Sequence, residues 1–157
     1  MSSARTTAML FTVLIGALIF SNFVNRAGLP TGLLDFVTGA DMSPLMVLLV
    51  ILAIYIVLGC VFESLSMLLL TVPIFFPVVT GLGYDPIWFG IIVVVVTEIS
   101  LITPPVGLNV FVLRAVVGDV PTATIFKGVT PFWMVDIIRL IILLTLPGLV
   151  LLLPNQM

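Results

Sequence analysis

The chain has 157 residues, 62% of them hydrophobic and only 8% charged, and its mean hydropathy is +1.44; soluble domains usually carry about 25% charged residues, so most of this surface faces lipid or other apolar protein. The net charge of −2 offers no basic patch to neutralise phosphates, which excludes nucleic acid as a partner. There is no histidine and one cysteine, Cys60, which removes the commonest general base, any Ser-His or Cys-His triad and any intramolecular disulfide, and leaves no catalytic set: the expectation is a membrane protein that is not an enzyme.

The first apolar run spans Thr7 to Phe23 and is followed by Val24-Asn25 without a small-x-small cleavage site. It is therefore expected to be a retained membrane helix (7–24) rather than a signal peptide. A Gly- and Pro-marked connection follows from Arg26 to Asp41, with a short interfacial helix expected around Leu33 to Val37. Three helix starts then have one form, a side-chain oxygen followed by proline: Ser43-Pro44, Asp85-Pro86 and Thr130-Pro131. The oxygen caps the free N–H groups of a first turn, and proline suits the next position because no N–H is needed there.

From Pro44 the chain is apolar to Phe62, where Glu63-Ser64-Leu65-Ser66 interrupts it. A second arm (67–80) holds Thr71, Pro73 and Pro77 and ends before Gly81-Leu82-Gly83. This arm is short for a crossing, which takes about 20 residues. Two spans joined at Glu63 and a re-entrant hairpin with its tip inside the membrane are both open; the hairpin is the favoured reading. Pro86 to Ile102 is apolar apart from Thr97, Glu98 and Ser100, stops at Thr103-Pro104-Pro105, and resumes from Val106 to Val117. Two prolines in succession remove two backbone donors, so this segment reads as one crossing broken in its middle. A final span (131–153) is expected to kink at Pro147-Gly148. The whole is an all-α, polytopic, single transmembrane domain over residues 1–157. The basic residues Arg5, Arg114, Lys127 and Arg139 place the N-terminus on the cytoplasmic side and Asp41 and Asp85 outside; Arg26 opposes that scheme.

Irregular backbone at membrane depth costs several kcal/mol per unsatisfied group, on the order of 2–7. Transporters use such breaks as sites: carbonyls at the end of a half-helix meet cations, and N–H groups at the start of the next meet anions. Ser100 to Asn109 contains both, with Ser100, Thr103 and Asn109 as further oxygens, Pro104 and Pro105 as the cause of the break, and Gly107 allowing close approach. A plain proline kink, with hydroxyls bonded back onto their own helix, is the other open reading. Glu63, Ser64 and Ser66 form a second polar interruption that could share an ion with the first. Glu63 and Glu98 are candidates because an ionisable group inside a bilayer is costly to keep; a helix end at the interface is the alternative for Glu63. Arg114 is read as snorkelling, with a substrate carboxylate as the competing partner. Asp136 and Arg139 are read as a pair on one helix, Cys60 as a small packing residue, and Trp88 and Trp133 as interfacial anchors after helix starts.

The segments PIFFPVV (Pro73 to Val79), GYDPIWFG (Gly83 to Gly90) and EISLITPPVGLNVFV (Glu98 to Val112), followed by PFW (Pro131 to Trp133) and LLLPN (Leu151 to Asn155), make the chain resemble the large membrane subunit of tripartite ATP-independent periplasmic (TRAP) transporters over nearly its whole length. Members of that family carry two inverted repeats, each with a re-entrant hairpin and a broken helix, and the resemblance implies that this chain is the second. It further implies an elevator-type symporter of the bacterial inner membrane, coupled to Na+ and taking organic anions such as C4-dicarboxylates or sialic acid. The implied partners are a periplasmic solute-binding protein, a small membrane subunit and the N-terminal repeat. On this chain the resemblance puts the hairpin tip at Glu63 to Ser66 and the sodium-coordinating break at Thr103 to Asn109, with Thr103, Gly107 and Asn109 as candidate ligands and no other cofactor. A non-transporting membrane scaffold, and an ion-coupled carrier that needs no binding protein, are the competing functions.

Overall fold

The computed structural model describes residues 2–104, 106–118, 120–152 and 154–156, and among these residues the fold is all-helical with no strand. The helices are α1 (Ser2–Arg26), α2 (Leu29–Gly39), α3 (Pro44–Gly59), α4 (Ser64–Gly81), α5 (Pro86–Ile102), α6 (Leu108–Val117), α7 (Thr122–Thr145) and α8 (Pro147–Leu151), followed by a 3-10 turn at Pro154–Gln156.

Local chemistry explains where several of these helices begin. The Ser43 hydroxyl accepts from Met46 N–H at 3.3 Å ahead of Pro44. One Asp85 carboxylate oxygen accepts from Ile87 N–H at 2.8 Å and Trp88 N–H at 3.0 Å ahead of Pro86. Both satisfy donors that a first helical turn leaves open. α2 starts differently: Gly28 stands at φ +71, a left-handed conformation that a side chain would disfavour. It is also a longer helix than the short interfacial piece expected around Leu33 to Val37.

Thr130-Pro131 does not start a helix. α7 is already running from Thr122, and the Thr130 hydroxyl turns back to the Phe126 carbonyl at 2.8 Å instead of capping. Pro131 then sits inside α7 as Pro73 and Pro77 sit inside α4. Within a membrane a helix can run on past proline. In α4 the prolines free the Leu69 and Pro73 carbonyls, while the Thr71 and Thr80 hydroxyls bond back to the neighbouring Met67 (2.7 Å) and Phe76 (2.9 Å) carbonyls. The last span is interrupted at Leu146, between α7 and α8, beside the kink expected at Pro147-Gly148; residue 153 lies outside the described residues.

α5 is the centre of the molecule. It packs along α3 on one side and α7 on another, with α4 completing the core; α1 and α2 lie against α4. Trp88, Phe89, Ile92, Val93, Val96, Thr97, Ile99, Ser100 and Leu101 of α5 are buried. The Trp88 indole N–H donates to the Leu143 carbonyl of α7 at 2.9 Å, fastening the first turn of α5.

Elsewhere the surface is unusually apolar, with Met9, Phe11, Ile19, Phe23, Val57, Val61, Val116 and Phe132 among many large hydrophobic side chains left exposed. Ala4–Arg26, Ser64–Gly81 and Thr122–Thr145 are long and apolar enough to cross a membrane. In water this much exposed apolar area would drive association; in a bilayer it is the surface that lipid requires. The chain is a multi-pass membrane protein. α3, with 16 residues, reaches only ~24 Å at 1.5 Å per residue, less than the ~30 Å hydrocarbon core.

Candidate functional site: a hairpin turn beside a broken helix

α3 and α4 form a helical hairpin that turns through Cys60 to Glu63. Its arms are tied in the core, where the Tyr55 and Thr71 hydroxyls are 2.8 Å apart. The Met67 carbonyl can only accept, so it takes the single Thr71 proton and the Tyr55 phenol donates to Thr71.

At the turn Glu63 is the N-cap of α4. Its carboxylate accepts from Leu65 N–H at 3.1 Å and Ser66 N–H at 3.3 Å, and from the Ser64 and Ser66 hydroxyls at 3.3 and 3.4 Å. The residues singled out at this interruption thus converge on one carboxylate, which itself stays exposed. Cys60 is half-buried, its thiol 3.4 Å from the Ile56 carbonyl.

The second interruption lies between α5 and α6. Pro104 and Pro105 have no N–H, so the Ser100 and Leu101 carbonyls cannot receive the bonds of a continuing helix. Thr103 N–H closes instead on the Ser100 carbonyl at 3.2 Å. The Thr103 hydroxyl donates to the Ile99 carbonyl at 2.7 Å and accepts the Trp133 indole N–H at 3.0 Å. Pro104 is exposed; Pro105 lies outside the described residues. Gly107, buried and at φ +50, opens α6, and Asn109 stands exposed in the first turn of that helix.

α3 and α5 meet through Gly59 and Ser100, each within a turn of an interruption. Gly59 ends α3 immediately before the hairpin turn, and Ser100 is one turn before the break in α5. They pack so tightly that a Cβ on Gly59 would fall inside the Ser100 side chain. Ser100 is fully buried and donates to the Thr97 carbonyl at 2.5 Å. Thr97, also buried, has a hydroxyl without a partner among the described residues. Glu98 is not part of this cluster. It is exposed on the stripe of α5 that carries Ile87, Ile91 and Val94.

Four participants were not legible as such in the sequence. Gly59 lies in an apolar run with no local mark, Thr97 stood out only as a polar residue in one, and Phe126 shows its role only against Gly107. Trp133, expected as an interfacial anchor, bonds Thr103 instead, because α7 starts well before it. Trp88 is likewise buried and bonded inside the fold rather than exposed as an anchor. Arg114 reaches the Thr122 hydroxyl at 2.6 Å, and Asp136 pairs with Arg139 at 3.1 Å.

Chemically, this region gathers hydroxyl oxygens and helix-end carbonyls at the end of α5, beside the N-terminus of α6. Such a set suits a small hard cation on one side and an anion on the other.

Comparison with known proteins bears on the family of the chain. Over 155 residues the chain is 39% identical to the C4-dicarboxylate TRAP transporter large permease protein DctM of Pseudomonas aeruginosa, an alignment covering 99% of this chain and 36% of that protein. It is 36% identical over 153 residues to the sialic acid TRAP transporter large permease protein SiaM of Vibrio cholerae, covering 98% of this chain and 36% of that one. It is 35% identical over 114 residues to the isethionate TRAP transporter permease protein DctMQ of Oleidesulfovibrio alaskensis, covering 73% and 18%. The chain thus spans little more than a third of the length of the first two relatives. Residues 1–149 match the family model described as the tripartite ATP-independent periplasmic transporter, DctM component, and the chain belongs to that family.

Proposed function

We propose that this chain is the C-terminal repeat of a TRAP large permease, residues 1–157 forming one transmembrane domain, and that it carries half of the ion and substrate path of a sodium-coupled importer of organic anions. The observation that carries the reading is the Gly59–Ser100 contact, which packs α3 on α5 within a turn of the interruption that ends each helix. Polar backbone and hydroxyls gathered beside a half-helix end have little use in a bilayer unless they bind something. α3 is too short to cross by itself, and its turn carries Glu63, Ser64 and Ser66; both features favour a re-entrant hairpin whose tip reaches membrane depth.

In this reading Na+ is held as a transported ion by oxygens around Thr103, Gly107 and Asn109, supplemented by Ser100 and the orphaned Thr97 hydroxyl. Pro104 and Pro105 keep the helix open. The N–H groups at the start of α6 face the carboxylate of the substrate. Glu63, Ser64 and Ser66 shape the hairpin tip, and Glu98 faces the N-terminal repeat, since an exposed carboxylate on this stripe is costly against lipid. The hairpin and the broken helix move together in an elevator step. The names of the relatives support C4-dicarboxylates, sialic acid or isethionate as the substrate class. Their family implies a small membrane subunit, a periplasmic binding protein and an inner-membrane location.

The test is uptake of radiolabelled succinate, sialic acid and isethionate into proteoliposomes. These hold the complete permease containing this chain, with and without sodium and the binding protein. Uptake needing both is expected. Thr103→Ala and Asn109→Ala variants should weaken the sodium dependence; uptake whose sodium dependence is untouched by both changes would defeat the assignment.

A further inference from the structure

We infer that α7 is a splint across the interruption between α5 and α6, with Trp133 as the positioning residue that sets the Thr103 hydroxyl. Two contacts on either side of the break carry this. On the α5 side the Trp133 indole N–H donates to the Thr103 hydroxyl at 3.0 Å. On the α6 side the Phe126 ring sits against Gly107, where an added Cβ would stand 3.1 Å from Phe126 Cε1. Phe126 and Trp133 are seven residues apart in one helix, which runs on through Pro131 between them. Seven residues at ~100° each fall about 20° short of two full turns, so both rings project from one face. Between them Val129 and Thr130 line a cleft of about 220 Å³ whose opposite wall is Ile102, Thr103 and Pro104.

The physical need for a splint follows from the break itself. Two half-helices joined through consecutive prolines have lost the hydrogen bonds that would fix their relative angle. A continuous helix contacting both halves restores that angle without filling the carbonyls at the break. The Thr103 proton is committed to the Ile99 carbonyl, so the indole N–H fixes the direction of one Thr103 lone pair and leaves the other free. Trp133 thereby acts on the oxygen set through Thr103 and touches neither ion nor substrate itself. Its influence on sodium rests on the transport reading above; the splint does not.

Trp88 supplies the control, because its indole also ties α5 to α7, through the Leu143 carbonyl, far from the break. Trp133→Phe and Trp88→Phe keep an aromatic ring, lose the same part of the indole and remove one N–H each. Both are to be compared with wild type in the complete permease in nanodiscs. The readouts are amide hydrogen exchange across Val106 to Phe111 and the sodium concentration for half-maximal uptake. Trp133→Phe should raise exchange there roughly fivefold to tenfold, the effect expected of one lost hydrogen bond. It should also shift half-saturating sodium severalfold with little change in the maximal rate, while Trp88→Phe leaves both readings at the wild-type level. Thr103→Val should raise exchange as Trp133→Phe does, and the double variant should add nothing further. Equal exchange at the break in Trp133→Phe and Trp88→Phe would overturn the splint. Raised exchange with an unchanged sodium response would uphold the splint and count against the sodium site instead.

Discussion

Gly59 and Ser100 are closer than any pair of side-chain-bearing residues can be, since the Ser100 side chain occupies the position that a Gly59 Cβ would take. Small residues allow such approaches between membrane helices, where packing rather than hydrophobic exclusion drives association. Gly59→Ala is therefore expected to push α3 from α5 and to destabilise the fold by about 1–3 kcal/mol, the usual cost of overpacking. Thermal unfolding in detergent checks it. Ser100→Gly added to Gly59→Ala should recover much of the loss, whereas Ser100→Ala should recover little because the Ser100 Cβ is itself in the way.

The Glu63 carboxylate caps α4 through two backbone N–H groups. Glu63→Ala should cost about 1 kcal/mol of stability, as loss of a helix cap does. Glu63→Asp or Glu63→Ser, which keep an oxygen near the same N–H groups, should retain most of it. Equal melting temperatures for Glu63→Ala and wild type would show that the cap contributes nothing.

Gly107 holds φ +50, and a Cβ added there would stand 3.1 to 3.4 Å from Phe126, Val110 and the Ile102 carbonyl carbon. A side chain there meets backbone strain as well as crowding, so Gly107→Ala is expected to cost about 1–3 kcal/mol. Gly28 is also left-handed, at φ +71 and ψ 20, but a Cβ there would meet only the Thr31 hydroxyl, at 3.3 Å. Gly28→Ala should therefore be the milder change in a side-by-side denaturation, and the reverse order would contradict the crowding at Gly107.

Tyr55 and Thr71 tie the hairpin arms through one buried hydrogen bond. Tyr55→Phe should destabilise by about 1 kcal/mol, and Thr71→Val by more, because it takes an acceptor from the Tyr55 hydroxyl and a donor from the Met67 carbonyl. A double-mutant cycle isolates the pair; a coupling energy indistinguishable from zero would mean the arms are held by apolar packing alone.

Much of the local structure was present in the amino-acid sequence. Composition set the membrane environment, because charged residues are too few to clothe a water-facing surface. Ser43-Pro44 and Asp85-Pro86 marked helix starts, and Thr103-Pro104-Pro105 marked a break, since capping and the loss of N–H donors act within a few residues. Thr130-Pro131 carried the same signature and does not begin a helix: inside a membrane helix its hydroxyl bonds backward to Phe126. Tertiary structure alone decided which residues surround the break. Gly59 against Ser100, Phe126 against Gly107 and Trp133 on Thr103 are contacts between segments 19 to 41 positions apart in the chain. Helix crossing and packing create those encounters, and neither periodicity nor capping chemistry, which are local, encodes which distant partner a glycine or an indole will meet.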